Sequence, residues 1–86
     1  MAAEKAIGKI THYFPHINVA VVKIDDGELK IGDKIRIKGE KTDFEQAVES
    51  IQVEHKPVDV VQVGEDAGLK VEGVAKEGDV VYLIEE

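Results

Sequence analysis

Apolar residues recur at every second position along much of this chain, and the polar residues between them are mostly charged. The clearest run is "KIRIK", residues 34 to 38, in which Ile35 and Ile37 share one face and Lys34, Arg36 and Lys38 the other. That period of two belongs to half-buried strands, and the apolar positions are mostly Val and Ile, which favour pleated surfaces. A first strand is expected from about Lys5 to Phe14, ending at "FPHIN", where Pro15 and Asn18 suit a turn. The next segment, "INVAVVKI", is apolar on both faces, as in a strand covered on both sides. "DDGE" follows as a tight hairpin turn, with Asp26-Gly27 able to take positive φ. Then comes "GELKIGDKIRIKG", residues 27 to 39, in which a Gly32-Asp33 corner precedes the alternating strand.

Residues 41 to 55, "KTDFEQAVESIQVEH", carry two periods. Phe44, Ala47, Val48 and Ile51 recur at three and four, whereas Ile51 and Val53 alternate with Gln52 and Glu54. The expectation is one long strand with a bulge between Val48 and Ile51. "KPVDVVQVGEDAG" reads as an irregular loop with one short extended piece, and "GLKVEGV" and "DVVYLIEE" as closing strands joined by "AKEGD". Many short strands with turn signals between them indicate a barrel or sandwich. Closure into a small antiparallel barrel of about six strands is preferred, because it removes the edges of a sheet this rich in Val and Ile.

A length of 86 residues suits a single domain, 1–86, with one core. The chain has no Cys, which removes disulfides, thiolate metal sites and cysteine nucleophiles together and makes a reducing, cytoplasmic setting the expectation. Glu4 and Lys5 interrupt the start where a signal peptide needs its apolar stretch, and no apolar run reaches membrane-spanning length, so no membrane partner is expected. Eighteen acidic against 11 basic residues give a formal charge of −7, which disfavours indiscriminate binding to phosphate backbones.

The order of features resembles the second, β-barrel domain of translational GTPases of the elongation factor Tu type. The resemblance rests on "GKI" at residues 8 to 10, "GELKIGDKIRIKG", the strand–loop–corner run "AVESIQVEHKPVDVVQVGEDAGLKV" and the closing "AKEGDVV", and it spans roughly residues 6 to 84. Similar barrels are appended to collagenase-like peptidases and sit beside RNA-modifying activities. The chain has no G-x-x-x-x-G-K-[ST] loop and no room for a GTPase domain, so nucleoside triphosphate binding is not expected of it.

In the relatives that carry aminoacyl-tRNA, the barrel's pocket for the terminal adenosine lies on the strand matching residues 51 to 56 and the corner near 64 to 68. The resemblance therefore implies a candidate binding surface at Gln52, Glu54, His55, Gly64, Asp66 and Gly68. Gln52 stands where the family has a Glu that stacks on adenine, Glu54 at a His position, His55 at an Arg position and Asp66 at an Asn. Two of these changes lose positive charge or the planar guanidinium.

Lys34, Arg36 and Lys38 form a second, weaker candidate, a short basic row suited either to a few phosphates or to keeping an outward strand face wet. The Gly32-Asp33 and Gly78-Asp79 corners read as turns, with Asp accepting backbone N–H bonds. His12, His16 and His55 lack metal-ligand spacing, so no metal is expected. Ser50, the only serine, has His55 nearby but no G-x-S-x-G or oxyanion context, and no catalytic residue or cofactor is expected. The aromatics Tyr13, Phe14, Phe44 and Tyr82 are too few for a single-strand stacking platform. The functional expectation is a non-catalytic binding module acting on tRNA, the ribosome or a translation-related protein. The alternative is a protein–protein adaptor, or an accessory domain of a collagenase-like peptidase or RNA-modifying enzyme.

Overall fold

A computed structural model describes residues 3–85, which form ten strands and no helix. In chain order these are β1 (Ala3–Phe14), β2 (Val19–Ile24), β3 (Glu28–Lys30), β4 (Lys34–Lys38), β5 (Asp43–Ala47), β6 (Ile51–Val53), β7 (Lys56–Val58), β8 (Val60–Gln62), β9 (Asp66–Lys70) and β10 (Val80–Glu85). Eight pair antiparallel in the order β5-β4-β10-β1-β2-β9-β6-β7, and β3 pairs with β8 as a separate ribbon. The all-β expectation holds. The closed ladder of about six strands does not appear as such: the strands are more numerous and shorter, and backbone pairing leaves β5 and β7 as ends of an open order.

What draws the two ends round one interior is side-chain burial. Ile7, Ile10, Val22, Leu29, Ile37, Ile51, Val61, Leu69 and Val81 belong to one buried cluster, so β3 and β8 face the same core as the eight-stranded sheet. A side-chain bridge closes part of the gap. Gln46 on β5 is 6 % exposed; its Nε2 donates to the Lys70 carbonyl at the end of β9 (2.9 Å), and its Oε1 accepts from Glu72 N–H (2.7 Å). An amide that donates and accepts takes the place of a rung of backbone pairing.

The expected "GLKVEGV" strand ends at Lys70 and begins at Asp66, and three further segments differ from the sequence expectation. The long strand across residues 41 to 55 is two strands, because Val48 leaves the ladder: its N–H donates to the Asp33 carbonyl and its carbonyl accepts from Gly32 N–H. The loop expected from Lys56 contains β7 and β8, each three residues long and too short to register as a period. "DDGE" is not a hairpin. Gly27 does have φ 72°, but β2 pairs with β1 and β9 whereas β3 pairs with β8. Asp25 and Asp26 N–H both reach the Ile7 carbonyl, beside a register shift between Ala6 and Gly8, and the chain turns off the sheet there.

The Gly-Asp corners are turns built alike. Gly32 (φ 97°) and Gly78 (φ 91°) occupy the third position of turns in which Asp33 N–H donates to the Lys30 carbonyl and Asp79 N–H to the Lys76 carbonyl. Each Asp side chain also accepts from the first residue's N–H, Lys30 or Lys76, at 2.9 Å. Positive φ at the third position is the type II arrangement that calls for glycine. A third copy, at the corner that the resemblance implies near 64 to 68, is Gln62-Val63-Gly64-Glu65, with Gly64 at φ 91° and the Glu65 carboxylate accepting from Gln62 N–H at 3.0 Å.

Candidate functional site

The six residues expected to form a binding surface line one open groove of about 520 Å³, within the usual range for ligand sites. Its floor is the outward face of three adjacent strands. Val21 on β2 pairs with Gly68 on β9, and Gly68 pairs with Gln52 on β6. Gly68 lacks a side chain where a Cβ would stand 3.7 Å from a Val19 methyl, and this keeps the floor low.

Turns form the rim. Phe14 and Ile17 flank the Pro15 turn and stand 45 % and 59 % exposed, an unusual outlay of apolar surface beside half-buried Val19, Val21 and Val53. Gly64 and Glu65, with Asp66 at the start of β9, supply a second part of the rim. Glu54 and His55 supply a third, and here the expectation is corrected: they lie on a turn rather than on a strand. Val53 pairs with Lys56, leaving Glu54 (φ 52°) and His55 (φ 65°) as a two-residue hairpin turn of type I′. Asn-Gly is the usual sequence for that turn, and two side chains in the left-handed region strain it.

The groove is acidic. Glu54, Glu65 and Asp66 line it, and His55 is the only basic residue among the lining side chains. Phe14, Ile17, Val19, Val21, Val53 and Glu65 are the lining residues that sequence reasoning did not single out. For Ile17, Val19 and Val21 the signal was present in "INVAVVKI", whose second apolar face is the groove floor rather than a covered interior.

The basic row loses its central member, Arg36, to pairing within the chain. Arg36 forms a forked pair with Asp43, Nε to Oδ1 at 2.7 Å and Nη2 to Oδ2 at 2.9 Å, and its Nη1 donates to Glu4 Oε2 at 2.8 Å. These hydrogen bonds raise the guanidinium's already high pKa and hold the Asp43 carboxyl below its ordinary 3.8. Lys34 and Lys38 flank it, exposed. Among the described residues no three His, Cys, Asp or Glu side chains gather as metal ligands. His12 Nδ1 instead lies 3.1 Å from Glu77 Oε1, and Ser50 is exposed and outside the groove lining.

Comparison with known proteins places this geometry. The family described as Elongation factor Tu domain 2 matches residues 18–82. The chain belongs to that family. Its curated relatives include an uncharacterized protease of Methanocaldococcus jannaschii, 38% identical over 81 residues, covering 93% of this chain and 20% of that protein. A collagenase of Porphyromonas gingivalis is 35% identical over 77 residues, 88% of this chain and 21% of that protein. The chain thus spans about a fifth of the length of these relatives. Among solved structures, the C-terminal domain of a Geobacillus thermoleovorans protein described as a U32 peptidase superposes with TM-score 0.86 at 20% identity, covering 95% of this chain and 93% of that one. At that identity the likeness speaks for the fold.

Proposed function

We propose that this chain is a non-catalytic, polypeptide-binding accessory domain of the kind carried by collagenase-like peptidases. The observation that carries the reading is the 38% identity to one part of a protease, over 93% of the present chain. A domain that recurs as a fifth of several proteases is suited to holding substrate or the peptidase body, and the groove is where it would do so. In this reading the fold acts as a closed barrel, with the Gln46 bridge completing what the backbone ladder leaves open.

A second reading, an RNA-end binder on tRNA, the ribosome or a translation protein, is favoured by one observation: the six implied positions do converge on one groove. The groove's charge speaks against it, since phosphates are held by basic groups and the rim carries carboxylates. The two are separated by titrating the fluorescently labelled chain with gelatin, as an unfolded polypeptide, and with deacylated and aminoacylated tRNA at near-physiological salt. Saturable binding of gelatin without cleavage supports the accessory-domain reading. Binding of tRNA in preference to gelatin overturns it.

A further inference from the structure

Resting on the polypeptide-binding reading, a more specific assignment follows from how charge and apolar surface are divided in the groove. The outward face of β2 offers Val19 and Val21, half-buried Val53 of β6 lines the groove while packing against the core, and Phe14 and Ile17 extend that surface to the rim. The same groove is lined by carboxylates from three places, Glu54 on the β6–β7 turn, Glu65 on the turn before β9 and Asp66 at the start of β9. Glu65 is fixed by its bond to Gln62 N–H, and the Glu54 turn keeps a strained backbone with a carboxylate where Asn would relieve it. Among the described residues Glu54, Glu65 and Asp66 form no salt bridge, although Lys23 stands across from Asp66 on β2, in contrast to Glu4 and Asp43, which Arg36 engages.

We propose that the groove docks an extended polypeptide segment, seating a lysine or arginine among Glu54, Glu65 and Asp66 and a neighbouring apolar side chain on Val19, Val21 and Val53. The charge complement is the deciding argument. An anionic ligand would meet three carboxylates against one imidazole and Lys23 beside Asp66, whereas a cationic side chain meets three acceptors and lays its methylene stem on the valines. Gly68 is the position that keeps room for it. Its Cβ would point at Val19 and Gln52 without clash and its φ is not in the left-handed region, so a larger residue there fills the groove while the strand stays intact.

The test uses the full chain and three short glycine/serine peptides carrying Val–Lys, Val–Gln or Val–Glu pairs, with an RNA oligonucleotide ending in CCA as a fourth probe. Binding is followed by anisotropy. The Val–Lys peptide is expected to bind more tightly than Val–Gln by roughly two- to fivefold for each lysine engaged, with the gap narrowing as salt rises. Glu54→Gln with Asp66→Asn should erase that preference while leaving Val–Gln binding in place. Gly68→Val should abolish binding of every peptide, and Gly68→Ala should weaken it; an unchanged thermal midpoint confirms that each variant is folded.

Equal affinity for the three peptides, unaltered binding by folded Gly68→Val, or tighter binding of the RNA would each overturn the proposal. If gelatin binds but charge and Gly68 make no difference, this assignment fails and the accessory-domain reading stands. If no polypeptide binds at all, both fail.

Discussion

Replacing Gln46 by leucine removes the side-chain bridge between β5 and the exit of β9 while keeping a similar volume. The wild-type amide donates to the Lys70 carbonyl at 2.9 Å and accepts from Glu72 N–H at 2.7 Å, in a residue only 6 % exposed. The variant leaves both backbone groups without this partner, and a buried polar group deprived of its partner costs about 1–3 kcal/mol. Two such groups amount to roughly 2–5 kcal/mol once partial rehydration at the gap is allowed for, a large share of a small domain's stability. For a domain of this size each kcal/mol moves the midpoint by about 4–8 °C, so Tm should fall by at least about 8 °C.

Gln46→Glu sharpens the test. Ionised, the new carboxylate accepts from Glu72 N–H but cannot donate to the Lys70 carbonyl; protonated, it does both. The folded state therefore holds that proton more tightly than the unfolded state, and the variant's deficit should shrink as pH falls. Thermal and urea unfolding monitored by far-ultraviolet circular dichroism measure both effects, with the exposed Glu45→Gln on the same strand as a control expected within about 0.5 kcal/mol. A Gln46→Leu midpoint within about 2 °C of wild type, less than half a kcal/mol on this scale, would refute the bridge as the closing element.

Three further outcomes follow from the same geometry. Gly32→Ala meets no atom within 4 Å, so its cost is conformational alone, about 1–2 kcal/mol for a side chain at φ 97°, read from urea midpoints. Asp43→Asn removes a carboxylate whose pKa Arg36 lowers. A group depressed on folding contributes stability that is present above its unfolded pKa and lost as pH falls through the folded one, so the variant should show a flatter stability profile below about pH 4. Glu54→Asn with His55→Gly gives the hairpin turn its preferred sequence and should raise stability by about 1 kcal/mol, seen as a higher Tm, while weakening any ligand that uses Glu54.

Strand alternation was legible wherever the run was long enough to show its period, as in "KIRIK" and "DVVYLI". The Gly32 and Gly78 corners were legible because Gly followed by Asp encodes the turn locally. The Gly64-Glu65 corner was legible only through the family resemblance, because a Glu performs there the task that Asp performs in the other two. β7 and β8 were illegible for want of length, three residues each, and the break at Val48 because it depends on hydrogen bonds to Gly32 and Asp33, which lie far back along the chain.

The groove shows the same division. Gln52, Glu54, His55, Gly64, Asp66 and Gly68 came from a family resemblance, and the fold brings them together. The apolar half of the lining did not, because "INVAVVKI" reads identically whether its second face is covered by protein or left open for a ligand. Nor does alternation reveal that Arg36 is already held by Asp43 and Glu4, which requires β4, β5 and β1 to be placed side by side.

The central claim, that this is a polypeptide-binding accessory domain working through one groove, is tested most directly by mapping amide chemical shifts of the labelled chain during titration with gelatin. The account predicts perturbations confined to Phe14–Val21, Gln52–His55 and Gly64–Gly68, with Lys34–Lys38 silent. Absence of any perturbation, or perturbations centred on Lys34–Lys38, would contradict it.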